Sequence, residues 1–205
     1  MIKNNAGGKD AKILKKYGEP SWNFQVVRFI DGNGKDLIPR RDRINSVKAL
    51  VPRMKAALKK AKRKSEVLSI MEPATKTTSQ LALSQACFWT GERVIGAIDG
   101  VVSTEAGWLG GREVTLVEYQ PDVVTPDAII DVAKKRHCAN TVHHPGDLKG
   151  YRKAADSHQK HTLNRSPLAK LDLTPYQETK INAFIGSDVK KALSYLTPRQ
   201  REMLN

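Results

Sequence analysis

Apolar positions in the first part of the chain recur at helical spacing, then at strand spacing, then at helical spacing again. Ile13, Leu14 and Tyr17 predict a helix over 10–17 that stops at Gly18-Glu19-Pro20. The β-rich stretch Phe24-Gln25-Val26-Val27-Arg28-Phe29-Ile30, the turn Asp31-Gly32-Asn33-Gly34 and a return over 35–38 predict a hairpin. Asn45-Ser46 then cap a helix to about residue 64, with Val47, Leu50, Val51, Met54, Ala57 and Leu58 on one face. Pro52 either bends that helix or marks its true start. Residues 72–79 turn polar, with Pro73 and three threonines, and read as a linker. Beyond it the pattern predicts strand (81–86), helix (87–98), strand (101–106), strand (113–119) and helix (126–137). That order argues for an α+β fold, a mixed sheet with helices packed on it, preceded by a small helix-hairpin-helix segment. Two later stretches, Leu173-Thr174-Pro175-Tyr176-Gln177 and Leu196-Thr197-Pro198-Arg199-Gln200, each pair an N-cap threonine with Pro and Gln, so a helix should start at each.

Composition narrows the class. A chain of 205 residues, 40% hydrophobic and 27% charged, is ordinary globular material with room for a core. No apolar run is long enough for a spanning helix, and Met1-Ile2-Lys3-Asn4-Asn5 opens no secretory signal, so a cytoplasmic protein without membrane contact is expected. Two cysteines, Cys87 and Cys138, cannot staple a fold of this size. The formal charge is +14, and it is uneven: residues 1–72 hold 18 basic and 7 acidic residues, residues 73–205 hold 17 and 14. Segments of different origin are therefore expected to meet near residue 72. The densest run, Lys59-Lys60-Ala61-Lys62-Arg63-Lys64, is either a polyanion patch or a solvated helix end. No aromatic residue interleaves it, which argues against nucleic acid as the partner.

Cys87 stands where a buried-looking strand feeds an amphipathic helix. A thiol there lies near unpaired N–H groups and the positive end of the helix dipole, a setting that favours a nucleophilic thiolate. Phe88 and Trp89 follow and can wall an apolar pocket. Taken alone, such a triplet reads more readily as core, since free cysteine is often buried. A wider pattern distinguishes the two. Ala86-Cys87-Phe88-Trp89-Thr90-Gly91-Glu92 resembles the Gly-Cys-Phe-Trp-x-x-Glu signature of the A-type peptide-methionine (S)-S-oxide reductases. In the same order, Asp99-Gly100-Val101-Val102-Ser103 with Gly107-Trp108-Leu109-Gly110-Gly111 resembles that family's Gly-Val and Gly-Tyr-x-Gly-Gly stretch. Glu113-Val114-Thr115-Leu116-Val117-Glu118-Tyr119-Gln120-Pro121 is similar to its Glu-Val-Val-x-Val-x-Tyr-Asp-Pro strand, and Ala155-Asp156-Ser157-His158-Gln159 to its Glu-Tyr-His-Gln motif.

The resemblance implies a methionine sulfoxide reductase A-like fold with a ferredoxin-like core over 80–205. It implies a thiol-dependent oxidoreductase with no cofactor that repairs oxidative damage by returning methionine S-sulfoxide in peptides or proteins to methionine. Thioredoxin or a small thiol would be the reductant. Cys87 becomes the nucleophile that passes through a sulfenic acid. Glu113 becomes the proton donor to the sulfoxide oxygen, a carboxyl held undissociated beside apolar walls. Phe88, Trp89, Trp108 and His158 become substrate-binding residues, and Glu92 an orienting or salt-bridging group. Cys138, in a polar loop after a helix, is the candidate resolving thiol. The chain also departs from the family. A longer loop bearing a Tyr is reduced to Arg112, a later Asp and a Gly-Thr-Gln-Tyr-Arg segment have no counterpart around 136–145, and Ser157 replaces a Tyr. Tyr151 is a candidate replacement phenol. The five histidines between His137 and His161 match no common zinc spacing, so no metal is assigned. The segment 1–72 resembles the C-terminal half of a thioredoxin-like domain without Cys-x-x-Cys, which implies an accessory module. The alternative function is a catalytically impaired scaffold that binds a partner through that basic segment.

Overall fold

A computed structural model describes residues 7–23 and 26–204. The chain divides between Leu68 and Ser69 into two compact units.

In the first unit, α1 (Lys9–Lys16) closes as the pattern predicts. Gly18 takes a left-handed φ of 63°, its N–H reaches the Lys15 carbonyl, and the Glu19 N–H reaches Leu14, which satisfies the last carbonyls of the helix. The expected hairpin is reduced to two isolated antiparallel bridges, Val27↔Arg41 and Ile30↔Asp36. The Asp31 carboxylate accepts from the Asn33 and Lys35 N–H groups and holds the turn. The two bridges differ in register by two residues, and a lone two-stranded ribbon has no sheet to lean on, so no continuous ladder forms. Phe24 and Gln25 of the expected strand lie outside the described residues. Next comes α2 (Val47–Lys60), capped by the Ser46 hydroxyl on the Ala49 N–H and carrying Pro52 inside the helix. It ends before the predicted residue 64, because Lys62 turns left-handed (φ 54°) and sends the Arg63 N–H back to Leu58. Val51 and Ala57 are buried, whereas Val47, expected on the same face, is 55% exposed.

The chain passes through α3 (Glu66–Met71) and a 3₁₀ turn (Glu72–Thr75) into the second unit. The expected polar linker is therefore partly structured: Pro73 starts the turn, and its carbonyl accepts from the Gln120 amide at 2.8 Å. Then follow β1 (Ser79–Ser84), α4 (Phe88–Gly96), β2 (Val101–Leu109), β3 (Arg112–Tyr119), α5 (Pro126–Lys135) and β4 (Thr141–His143). The strands assemble in the order β4-β1-β3-β2, the split β-α-β arrangement of a ferredoxin-like core. A two-residue β5 (Arg152–Lys153) extends the β2 edge. Every ladder is antiparallel, which refines the mixed sheet expected from sequence. Alternation sends Leu81, Leu83, Val117 and Tyr119 to one face, where they bury against Ile95 of α4 and Ile129 and Ala133 of α5.

The C-terminal region adds α6 (His161–Asn164), α7 (Pro175–Phe184), α8 (Val189–Ser194) and α9 (Pro198–Glu202) around a second cluster with Leu163, Ile181 and Leu196 at its centre. Both threonine-proline repeats form capping boxes, Thr174 with Gln177 and Thr197 with Gln200. The two glutamines also bond each other at 2.7 Å, so the caps of α7 and α9 are one network. Among the described residues no helix is long and apolar enough to cross a membrane.

Candidate active site

The site grows from the point where β1 leaves the sheet. The Gln85 N–H still pairs with the Glu113 carbonyl at 3.0 Å, one step beyond the regular β1–β3 ladder. Two residues later Cys87 occupies the N-cap of α4 with extended backbone (φ −152°, ψ 108°), its thiol free and half-buried. The next N–H, that of Phe88, donates to Glu113 Oε2 at 2.8 Å. Thr115, two residues along β3, donates to the Phe88 carbonyl at 3.4 Å. The first turn of α4 is thus held onto β3 by a carboxyl and a hydroxyl. Gly91 permits the approach: a Cβ there would lie 2.0–2.4 Å from Gln85 and Thr115 side-chain atoms.

The other wall comes from the β2–β3 hairpin. Leu109 pairs with Arg112 across Gly110 and Gly111, whose φ angles of 58° and 78° make a two-residue turn of the kind only glycine adopts easily. This tight turn stands where the family resemblance would place a longer loop. Trp108 is paired directly across from Glu113 on the α4 side of the sheet. Phe88 is buried with Ala106 and Ala154, and its ring meets Trp108 edge-on at 5.5 Å and Trp89 at 5.9 Å. A half-buried thiol, a carboxyl one residue away and three large aromatic rings therefore converge at one helix terminus.

The 156–161 segment closes the arrangement. The Trp89 indole N–H donates to the His158 carbonyl at 2.9 Å, and the His158 ring lies 5.9 Å from Phe88. His161 stacks on Trp89 at 4.0 Å. The Gln159 amide accepts from the Ala106 N–H and donates to its carbonyl, acting as a one-residue strand on the β2 edge. Glu92, 0% exposed, accepts from the Lys160 N–H at 2.8 Å and from its ammonium at 2.7 Å, and that ammonium also donates to the Thr104 carbonyl. Burial raises the Glu92 pKa and the Lys160 charge opposes that rise. Glu92 is thus a salt-bridging group, placed one helical turn beyond Cys87. Lys160 escaped the sequence reading, and His161 entered it only as one of five clustered histidines. Lys160 followed immediately on the quoted motif, but nothing local marks a lysine for burial.

Two expectations are corrected. Cys138, expected in a mobile polar loop, is 1% exposed and packs in the core with Leu83 and Ile129; its N–H bonds to Ala133 as the chain leaves α5, and burial pushes its thiol pKa up. Tyr151, the candidate replacement phenol, lies across the sheet from the thiol. Its ring covers Gly107 and its hydroxyl donates to Glu105 at 2.7 Å, and both residues alternate to the face opposite Ala106 and Trp108. Burial and the Glu105 carboxylate raise its pKa. His143 bonds Ser84 at 2.7 Å, and among the described residues no group of three or more metal-ligating side chains is gathered.

A half-buried thiol thus stands beside a carboxyl and aromatic rings on an α+β scaffold. No family model matches the chain. It is 28% identical over 86 residues to the peptide methionine sulfoxide reductase MsrA of Methanococcus maripaludis, which covers 34% of this chain and 55% of that protein. It is 24% identical over 146 residues to the protein of the same name from Vibrio parahaemolyticus, covering 62% and 69%. A third, from Pseudomonas syringae pv. tomato, is 29% identical over 85 residues, covering 33% and 40%. The chain spans about half the length of the curated relatives it matches.

Proposed function

We propose that the protein reduces methionine S-sulfoxide in peptides or proteins to methionine, with Cys87 as nucleophile and Glu113 as proton donor. The observation that carries this reading is the hydrogen bond from the Phe88 N–H to Glu113, which brings the carboxyl beside Cys87 where the aromatic rings gather. Phe88, Trp89 and Trp108 offer the sulfoxide methyl group an apolar enclosure, and the sulfur then faces the thiol. The thiolate attacks that sulfur, Glu113 protonates the oxygen, and the S–O bond breaks as oxygen passes to Cys87. Sulfoxide plus thiolate plus one proton gives thioether plus cysteine sulfenic acid. Two equivalents of thiol return the sulfenic acid to thiol, with release of water and a disulfide.

External thiol, from thioredoxin or a small molecule, supplies those equivalents most simply, because Cys138 lies in the core. The phenols that the family resemblance would place around the oxygen have no counterpart here, so Glu113 and solvent carry the oxygen's stabilisation and turnover is slow. The test is conversion of a peptide S-sulfoxide by the full-length protein with dithiothreitol. Methionine should form from the S epimer with wild type and not with Cys87→Ser. Equal turnover by Cys87→Ser would contradict the reading.

A further inference from the structure

The first unit contains a cavity of about 430 Å³ at the N-terminus of α2, lined by Arg41, Arg43, Lys48 and Arg53 together with Asp42. These cations differ from the other arginines nearby. Arg28 is held by Glu19 and Asp36, and Arg40 by Glu19 and Asp42. Among the described residues no carboxylate pairs with Arg41, Arg43 or Lys48. Arg53 donates through Nη2 to the Pro39 carbonyl, while its Nε is buried with no hydrogen-bond partner among those residues. A buried guanidinium N–H without an acceptor is costly unless something brings one. Arg43 also holds a left-handed φ of 55°.

The same unit carries an exposed ring. Trp22 is 76% exposed, and the amide of its neighbour Asn23 donates to Asp42 in the cavity lining. At the other end of α2, about 21 Å away for a helix of 14 residues, stands the run Lys59-Lys60-Ala61-Lys62-Arg63-Lys64. We propose that this unit binds single-stranded nucleic acid, with Arg41, Arg43, Lys48 and Arg53 taking backbone phosphates and Trp22 stacking a base. The separated second cluster favours a chain of phosphates over a single one. The free indole favours a strand whose bases are exposed over a duplex or an acidic protein. This site and the thiol site do not depend on each other.

Fluorescence anisotropy of a labelled oligothymidylate with the full-length protein tests the proposal. Replacing Arg41, Arg43 and Lys48 together by Ser should weaken binding at least about tenfold and flatten the slope of log K against log salt by about 2. Trp22→Ala should cost about tenfold on the single strand and leave a duplex of equal length unaffected. Arg43→Gly suits the left-handed backbone, so it should weaken binding while the protein melts no earlier than wild type. Removing Lys134, Lys135 and Lys149 from the second unit should change nothing. Absence of binding at low salt, an equal loss from that second-unit control, or a Trp22→Ala effect shared by strand and duplex would overturn the proposal.

Discussion

The two ends of α4 are built by opposite means. At its start, a half-buried thiol occupies the cap and a carboxyl from β3 takes the first N–H. At its finish, the ammonium of Lys180, 1% exposed, donates to the carbonyls of Gly96 and Ile98 at 2.8 and 2.7 Å. Each partner suits the sign of the helix dipole at its end. The finish is sealed and its carbonyls are satisfied from α7, so it fixes the helix. The start is left accessible, and its acceptor works whether or not the carboxyl carries a proton. One end therefore serves stability while the other keeps the chemical freedom that a reaction needs.

The contrast breaks at predictable places. Glu92→Gln, midway along the helix, leaves the Lys160 ammonium buried without its counter-charge. It should cost about 3 kcal/mol of unfolding free energy in denaturant titration. It should also quench or red-shift Trp89 fluorescence differently from a remote destabilising variant, because the 156–161 segment loses its anchor on the ring. Glu113→Gln keeps an acceptor for the Phe88 N–H but has no proton to give. Stability should move by less than about 1 kcal/mol while single-turnover reduction slows about a hundredfold. A purely structural cap would show the reverse. At the sealed end, burial lowers the Lys180 pKa to about 8, with the Asp99 charge opposing the fall and Lys191 adding to it. Between that value and the unfolded value near 10.5 the unfolded chain binds the extra proton, so stability from this group rises as pH rises. The gain should be on the order of 2 kcal/mol between pH 8 and pH 10, read from melts, and Lys180→Met should lose that slope.

What could be read in the sequence was local. The strand-to-helix corner at Cys87 and the two threonine-proline boxes depend on neighbours within a few positions, and the element order of the second unit followed from the spacing of its apolar residues. The placement of Glu113 was readable from a motif rather than from any pattern of burial. What failed was non-local. Cys138 looked exposed because the residues after it are polar, yet the turn out of α5 directs it inward against β1 and β3. Tyr151 was close to the right motif in sequence, but strand parity puts it on the wrong face of the sheet. The pairing of Glu92 with Lys160 joins residues 68 positions apart, and no spacing rule reaches that far. In the first unit the hairpin signal was strong, and without a third strand it yielded only two bridges.

The central claim is that oxygen moves from the substrate sulfur to Cys87. A single-turnover experiment reads it directly: the reduced protein, without external thiol, is mixed with a peptide S-sulfoxide and then with a sulfenic-acid trap. The account predicts one methionine formed per protein, with the trap found on the peptide containing Cys87 and absent from that containing Cys138. Methionine formed without trapped Cys87, or no methionine with either epimer, would contradict it.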